Sequence, residues 1–396
     1  MRAYHRQDYY LAVTTFLLVI FGLIMVASAS VVQSYEVAGT NNFYLFRQGG
    51  FAIVGLILWW ILQKVDYHVW KRFATIALVV GLILLGAVLV PGLGVEAGGA
   101  RRWIGLGDMG TLQASEIMKF ALIVYLAYWF EKKGRRVADF YSTFLPFIMI
   151  VGVVALLVIQ EPDFGTAVLI ALIAGTMYMA AGATWGQLGT LFTAGAALIT
   201  FLVYSAPYRV RRILIFLNPG ADPLGAGYHV NQALLAIGSG GLFGLGYGHS
   251  RQKFNFLPEA ASDSIFAIIG EELGLIGAVF FVLLPFAIIV WRGLEIARRA
   301  PDMFGRIMAL GLTVWIGYQA LINIGATIGL FPLTGMPLPF VSLGGSSLVI
   351  MLMACGVLLN ISKQTVKTSK DENPLSGWWD WWSHLVNSGS RRRSSK

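Results

Sequence analysis

The chain reads as an all-α, polytopic membrane protein of about ten transmembrane helices, with a long outer loop between spans seven and eight. Three observations predict this. Hydrophobic residues make up 57% of the 396 and charged residues only 12%, at a mean hydropathy of +0.70, against roughly 25% charged in a soluble domain. The apolar residues come in blocks of about 17 to 23, close to the ~20 that carry a helix across ~30 Å of hydrocarbon. Strands of a closed β-barrel would instead alternate over ~10 residues. Lysine and arginine gather on alternate connections, as the positive-inside rule requires when both termini are cytoplasmic.

In order, spans are expected at Tyr10 to Val32, Tyr44 to Leu62, Ala74 to Val90, Leu112 to Phe130 and Phe144 to Gln160. Five more follow at Asp163 to Ala181, Gln187 to Ser205, Ile265 to Trp291, Ile307 to Leu330 and Phe340 to Ile361. The first is expected to be retained, because no small-residue cleavage site follows it. The spans form one transmembrane domain, 1–362, and residues 363–396 form a basic cytoplasmic tail with Trp378, Trp379, Trp381 and Trp382 suited to the headgroup region. Two outer loops are long: the glycine-rich 91–111, and 206–264, whose apolar stretches predict re-entrant or interfacial helices.

The net charge of +9 fits topology and anionic lipid headgroups rather than nucleic acid, because the basic residues sit in short connections and the tail. Nine break the pattern: Arg47, Arg101, Arg102, Lys119, Arg209, Arg211, Arg212, Arg251 and Lys253 fall on the outer side or in the outer half of a span. Arg47 is expected to snorkel to the interface. The Arg101–Arg102 pair and the Arg209, Arg211, Arg212 cluster ask for a ligand, and arginine forks suit phosphate.

Carboxylates near membrane depth are functional candidates by default. Glu116 and Lys119, three apart, share a helix face and read equally as an ion pair. Asp163 is expected to cap the helix after Pro162. Glu259, Asp263 and Glu271 would share one stripe on a continuous helix, and a carboxylate among arginines suits proton abstraction from a hydroxyl. The five histidines are scattered and Cys355 is alone, so no metal site is expected. The run Gly238 to Gly248 leaves close backbone packing and an approach to phosphate both open.

The motifs resemble the SEDS family (shape, elongation, division and sporulation), its FtsW-like branch most closely, up to about Ser362. The resemblance is carried by Met25-Val-Ala-Ser-Ala-Ser30, Gly99-Ala-Arg-Arg-Trp-Ile104, Gln113-Ala-Ser-Glu116 with Lys119, and Glu161-Pro-Asp-Phe-Gly-Thr166. It continues in Gly227-Tyr-His-Val-Asn-Gln232, Ile237-Gly-Ser-Gly-Gly241, Leu257-Pro-Glu-Ala260, Gly270-Glu-Glu-Leu-Gly274 and Gly335-Met-Pro-Leu-Pro-Phe340, followed by Ser342 and Gly344-Gly-Ser-Ser347. Ala114 replaces the family's usual Pro, and Ala261-Ser-Asp-Ser264 its His-Thr-Asp-Phe, with Asp263 kept.

The resemblance implies a peptidoglycan glycosyltransferase that polymerises lipid II on the outer face of the cytoplasmic membrane. Asp263 would be the base. Arg101, Arg102, Lys119, Arg209, Arg211 and Arg212 would hold pyrophosphate, and Glu116, Gln232, Ser239, Lys253, Glu259, Glu271, Ser342 and Ser346 are further substrate-contacting candidates. A class B penicillin-binding protein and other division proteins would be partners, and a divalent cation (Mg or Mn) is left open as cofactor. The competing classes are a lipid II flippase, which suits buried charges in a bundle, and a non-catalytic division scaffold.

Overall fold

The computed structural model describes residues 7–365, apart from 98–99, 106, 108–109, 224 and 226. The four tryptophans of the tail lie outside the described residues. In chain order the elements are α1 (Tyr9–Ala29), α2 (Val31–Ala38), α3 (Phe43–Leu62), α4 (His68–Leu89), β1 (Gly94–Ala97), β2 (Ala100–Gly105), β3 (Thr111–Gln113) and α5 (Ala114–Lys133). Then come α6 (Leu145–Gln160), α7 (Phe164–Ala181), α8 (Trp185–Tyr204), α9 (Pro207–Leu217), α10 (Tyr228–Gly240), α11 (Ile265–Ala278), α12 (Leu284–Arg299), α13 (Met303–Thr327) and α14 (Gly345–Lys363).

Among the described residues, nine helical stretches are long and apolar enough to cross a membrane, with α11 and α12 forming one continuous run of 35 residues. The expected fourth span, α5, falls outside that set because it carries Glu116, Lys119 and Glu131. It is buried against α4, α13 and α7, so its charges meet protein rather than lipid. The other expected spans are all present with shifted ends. The third begins at His68 and the last at Gly345, which leaves Phe340 in a loop rather than in a helix.

Local chemistry explains the boundaries. Asp8 caps α1 by accepting from Leu11 N at 3.0 Å, Thr184 and Gln187 form a reciprocal capping box on α8, and Asp302 caps α13. Asp163 caps α7 as expected, accepting from Thr166 N at 3.0 Å and Thr166 Oγ1 at 2.8 Å. Ahead of Pro146 and Pro285 the helices widen into single π turns, Phe140–Phe144 and Val279–Leu283, because proline cannot donate to the turn before it and its ring crowds that carbonyl.

The loop 91–111 and the expected start of the fourth span carry an unexpected sheet: β1, β2 and β3 pair antiparallel in that order, with Trp103 opposite Gln113. The sheet leads directly into α5. The segment 206–264 contains two helices, α9 and α10, and then irregular turns from Gly241 to Ser264. A continuous helix from Glu259 to Glu271 is therefore corrected: α11 begins only at Ile265, and Glu259 and Asp263 precede it in turns.

Within the glycine run, Gly240 and Gly244 serve close packing, while Gly238, Gly241 and Gly248 have open space where a Cβ would stand. A Cβ at Gly240 would stand 2.0 Å from Gly270 O, and one at Gly244 (φ +81) 2.2 Å from Glu272 O. Leu245 N and Gly246 N donate to Glu271 O and Glu272 O, and Leu275 N and Ile276 N return bonds to Gly241 O and Leu242 O. The 241–246 backbone thus satisfies carbonyls and amides that the break in α11 at Gly274 (φ +68) leaves open.

Candidate active site

One cavity of about 930 Å³ opens where α3, β2, β3, α9, the start of α10, the turn before α11 and the loop before α14 converge. Arg47, Arg102, Arg211 and Arg212 line it together with two carboxylates, Glu259 and Asp263.

Asp263 is half-buried. Burial pushes its carboxyl up to about 7, and the negative charges of Glu259 and Asp163 push the same way against Arg102 and Arg212. A carboxylate so tuned is close to the proton affinity that a general base needs near neutral pH. Glu259 is exposed and accepts from Ser262 Oγ at 2.5 Å. His229 Nε2 lies 2.6 Å from Ser264 Oγ, and burial lowers the imidazole's proton affinity, with Arg212 adding to the effect and Glu259 opposing it.

Arg102 is held by carbonyls. Its Nε donates to Glu161 O at 3.0 Å and its Nη2 to Pro162 O at 2.6 Å. The third nitrogen faces Gly335: a Cβ added there would lie 4.0 Å from Arg102 Nη1 and 3.4 Å from Asp263 Oδ2. Gly335 has φ +71, which favours glycine, and the absent side chain leaves room for both charged groups. The carboxyl of Glu161 is fully buried with no hydrogen-bond partner for either oxygen. Burial, then Asp163, raise it to about 8 against the pull of Arg102, so it is largely neutral at pH 7 and leaves the guanidinium charge directed at the cavity.

The other predicted residues divide. Ser346 lines the cavity and accepts from Gln113 N at 3.3 Å, tying α14 to β3. Ser342 braces the wall from behind, donating to Ser262 O at 2.5 Å and accepting from Leu338 N at 2.8 Å. Arg211 pairs with Asp222 at 2.8 Å at the exposed rim. Arg209 turns away to Leu202 O at 2.7 Å and Tyr208 Oη at 2.9 Å. Arg101, Gln232 and Ser239 do not line the cavity, and Ser239 Oγ donates back to Ala236 O at 2.8 Å.

Four predicted substrate contacts serve as internal structure instead. Lys119 and Glu116 pair at 2.8 Å, 1% and 2% exposed, and Lys119 also donates to Gln319 Oε1 at 2.9 Å. Lys253 is bound by Glu272, Ser28 and Gly248 O at 2.7 to 3.0 Å. Glu271 accepts from Ser250 Oγ at 2.5 Å and Arg251 N at 3.0 Å, fixing the turn after Gly248. These four side chains are buried and none of them lines the cavity.

Sequence reasoning missed Arg47, Gln48 and His229. Arg47 breaks the charge rule, but snorkelling to the interface accounts for such a residue without a ligand. Gln48 is buried, donates to Ser342 O and accepts from Gly344 N, each at 3.2 Å, and carried no charge to signal it.

The cavity gathers a recessed carboxyl and four arginines among helices long and apolar enough to cross a membrane, and the class this defines is a polytopic membrane protein. The chain belongs to the cell cycle protein family of FtsW, RodA and SpoVE, whose model matches residues 9–367. It is 44% identical over 356 residues to stage V sporulation protein E of Bacillus subtilis, covering 90% of this chain and 97% of that protein. It is 40% identical over 357 residues to a probable peptidoglycan glycosyltransferase FtsW of Geobacter sulfurreducens, covering 90% and 95%. Among solved structures it resembles a chain of a peptidoglycan synthase complex that coordinates polymerization and crosslinking (TM-score 0.75, 27% identity, 90% and 97% covered). It also resembles the rod shape determining protein RodA of Thermus thermophilus (TM-score 0.67, 26% identity, 91% and 98% covered).

Proposed function

We propose that this protein is a peptidoglycan glycosyltransferase that polymerises lipid II, an undecaprenyl-pyrophosphate-linked disaccharide peptide, into glycan strands during cell division. The observation that carries the reading is Asp263, a carboxyl raised to about 7 that lines the cavity together with Arg47, Arg102, Arg211 and Arg212. Asp263 takes the proton of a sugar 4-hydroxyl on one lipid II. The freed oxygen attacks the anomeric carbon of a lipid-linked donor and inverts it, and the bond to pyrophosphate breaks, releasing undecaprenyl pyrophosphate. Arg102 and Arg212 stand nearest the base and stabilise the charge that grows on the leaving group. Arg47 and Arg211 are the remaining cationic contacts within the cavity.

The site faces outward in this reading, both termini are cytoplasmic, and the protein sits in the bacterial cytoplasmic membrane among its lipids. The names of its relatives support the activity. The synthase-complex neighbour supports a class B penicillin-binding protein as partner, alongside other division proteins. Among the described residues no group of three or more metal-ligating side chains gathers. Mg²⁺ is commonly held by one or two carboxylates together with substrate phosphates, so Glu259 and Asp263 supply only part of such a site.

Purified protein given lipid II in detergent, with its partner present, should build glycan strands resolvable by gel. Transfer of lipid II across vesicles without polymer would instead favour a flippase, and neither activity would favour a scaffold.

A further inference from the structure

Asp263 lies in an irregular turn, so no helix fixes the base, and its main chain has to be held by side chains. Asn323 on α13 does this. It is 3% exposed, and its Nδ2 donates both to Asp263 O at 2.8 Å and to Met336 O at 2.7 Å. The two carbonyls belong to separate segments without regular structure, 258–264 and 332–344. Met336 follows Gly335, where an added Cβ would stand 3.4 Å from Asp263 Oδ2, so the glycine backbone forms the wall beside the carboxyl. The residue that fastens the base therefore also fastens the surface against which its carboxyl rests.

The chemistry selects a carboxamide. One neutral nitrogen supplies two donors to two converging carbonyls, whereas a carboxylate would present only acceptors and leucine nothing. One turn earlier, Gln319 makes the corresponding bond to Pro337 O alone, at 3.0 Å, without touching Asp263. The two rungs differ in that contact, which separates holding the loop from holding the base.

We infer that Asn323 is the positioning residue of the base: by tying the main chain of Asp263 to that of Met336, it sets where the carboxyl stands against Gly335 and Arg102. The inference rests on the reading of Asp263 as the base. The charged and titratable groups facing that carboxyl are Glu259 from its own turn, Asp163 from the start of α7, Arg102 from β2 and Arg212 from α9, with His229 of α10 bound to the adjacent Ser264. Burial is the largest influence on its proton affinity, so a carboxyl released from its wall becomes more hydrated and ionises at lower pH.

The test is lipid II polymerisation by the full-length protein across pH. Asn323→Leu should bind lipid II as the parent does, turn over roughly 10²-fold more slowly through misplacement of the base, and move the acid limb of its pH–rate profile to lower pH. Asn323→Ser, which keeps one donor, should recover part of the rate and lie between the two in pH. Gln319→Leu should lower thermal stability and leave the limb in place. Normal turnover or an unmoved limb in Asn323→Leu, or an equal shift in Gln319→Leu, would overturn the inference. If Asn323→Leu fails to insert, an unmoved limb in Asn323→Ser overturns it alone. Asp263→Asn in the same assay separates the two readings: full polymerisation there removes the base itself, whereas its silence beside a normal Asn323→Leu removes only the positioning role.

Discussion

At the scale of single residues, Arg102 and Asp263 are set in the cavity by means other than ion pairs. Arg102 is tethered by two carbonyls rather than by an acid, and Asp263 is pushed toward neutrality by burial and by Glu259 and Asp163. Glu259 raises the proton affinity of Asp263, so Glu259→Gln removes a negative neighbour and lets Asp263 ionise more easily. The acid limb of kcat/KM for polymerisation should then move to lower pH than the parent's, which is expected near 7. A limb that stays in place would detach that limb from Asp263. Asp263, Arg102, Arg211 and Arg212 were legible in the sequence because ionisable groups near membrane depth and basic residues on the outer side both break a rule. Lys253 and Glu271 broke the same rules for a different reason: each is buried in a polar cluster that holds the 248–253 turn, and only packing separates that case from ligand binding.

At the scale of elements, α5 links the sheet carrying Arg102 to the helix that braces the base. Lys119 joins Glu116 on its own helix to Gln319 on α13, and Gln319 holds Pro337 O in the loop before α14. Removing one partner of a buried ion pair leaves the other charge uncompensated, so Glu116→Ala should destabilise the protein by roughly 3–5 kcal/mol. The double variant Glu116→Gln with Lys119→Met should recover most of that loss, because Trp315 Nε1 still donates to Gln319 Oε1 at 3.0 Å. Thermal unfolding in detergent measures both, and a double variant no better than the single would show that the pair is needed for more than mutual neutralisation. The spans were legible because each is an apolar block near membrane length. The three-stranded sheet between Gly94 and Gln113 was not, since its strands of 4, 6 and 3 residues are too short for alternation to show against so many glycines. The carboxylate stripe failed for a related reason: spacing gives a face only if the helix is continuous, and the turns before Ile265 break it.

At the scale of the whole molecule, the distribution of charge predicts which side is which. The basic residues Lys132, Lys133, Arg298 and Arg299 close α5 and α12 at one end of the bundle. Reporters fused after Gly134 or Arg298 should therefore read cytoplasmic, and one near Asp222 external. An external signal at Arg298 would invert the topology and put the cavity on the wrong side for an extracytoplasmic polymer. With the cavity outward, as proposed, polymerisation depends on a single proton transfer, because a sugar hydroxyl is a weak nucleophile until a positioned carboxylate accepts its proton, a contribution of ~10² to 10⁴-fold in rate. The most direct test is polymerisation by Asp263→Asn, which keeps the side chain's shape and removes its basicity. Lipid II binding and membrane insertion should be preserved while glycan synthesis falls to background; strands made at the parent's rate would contradict the account.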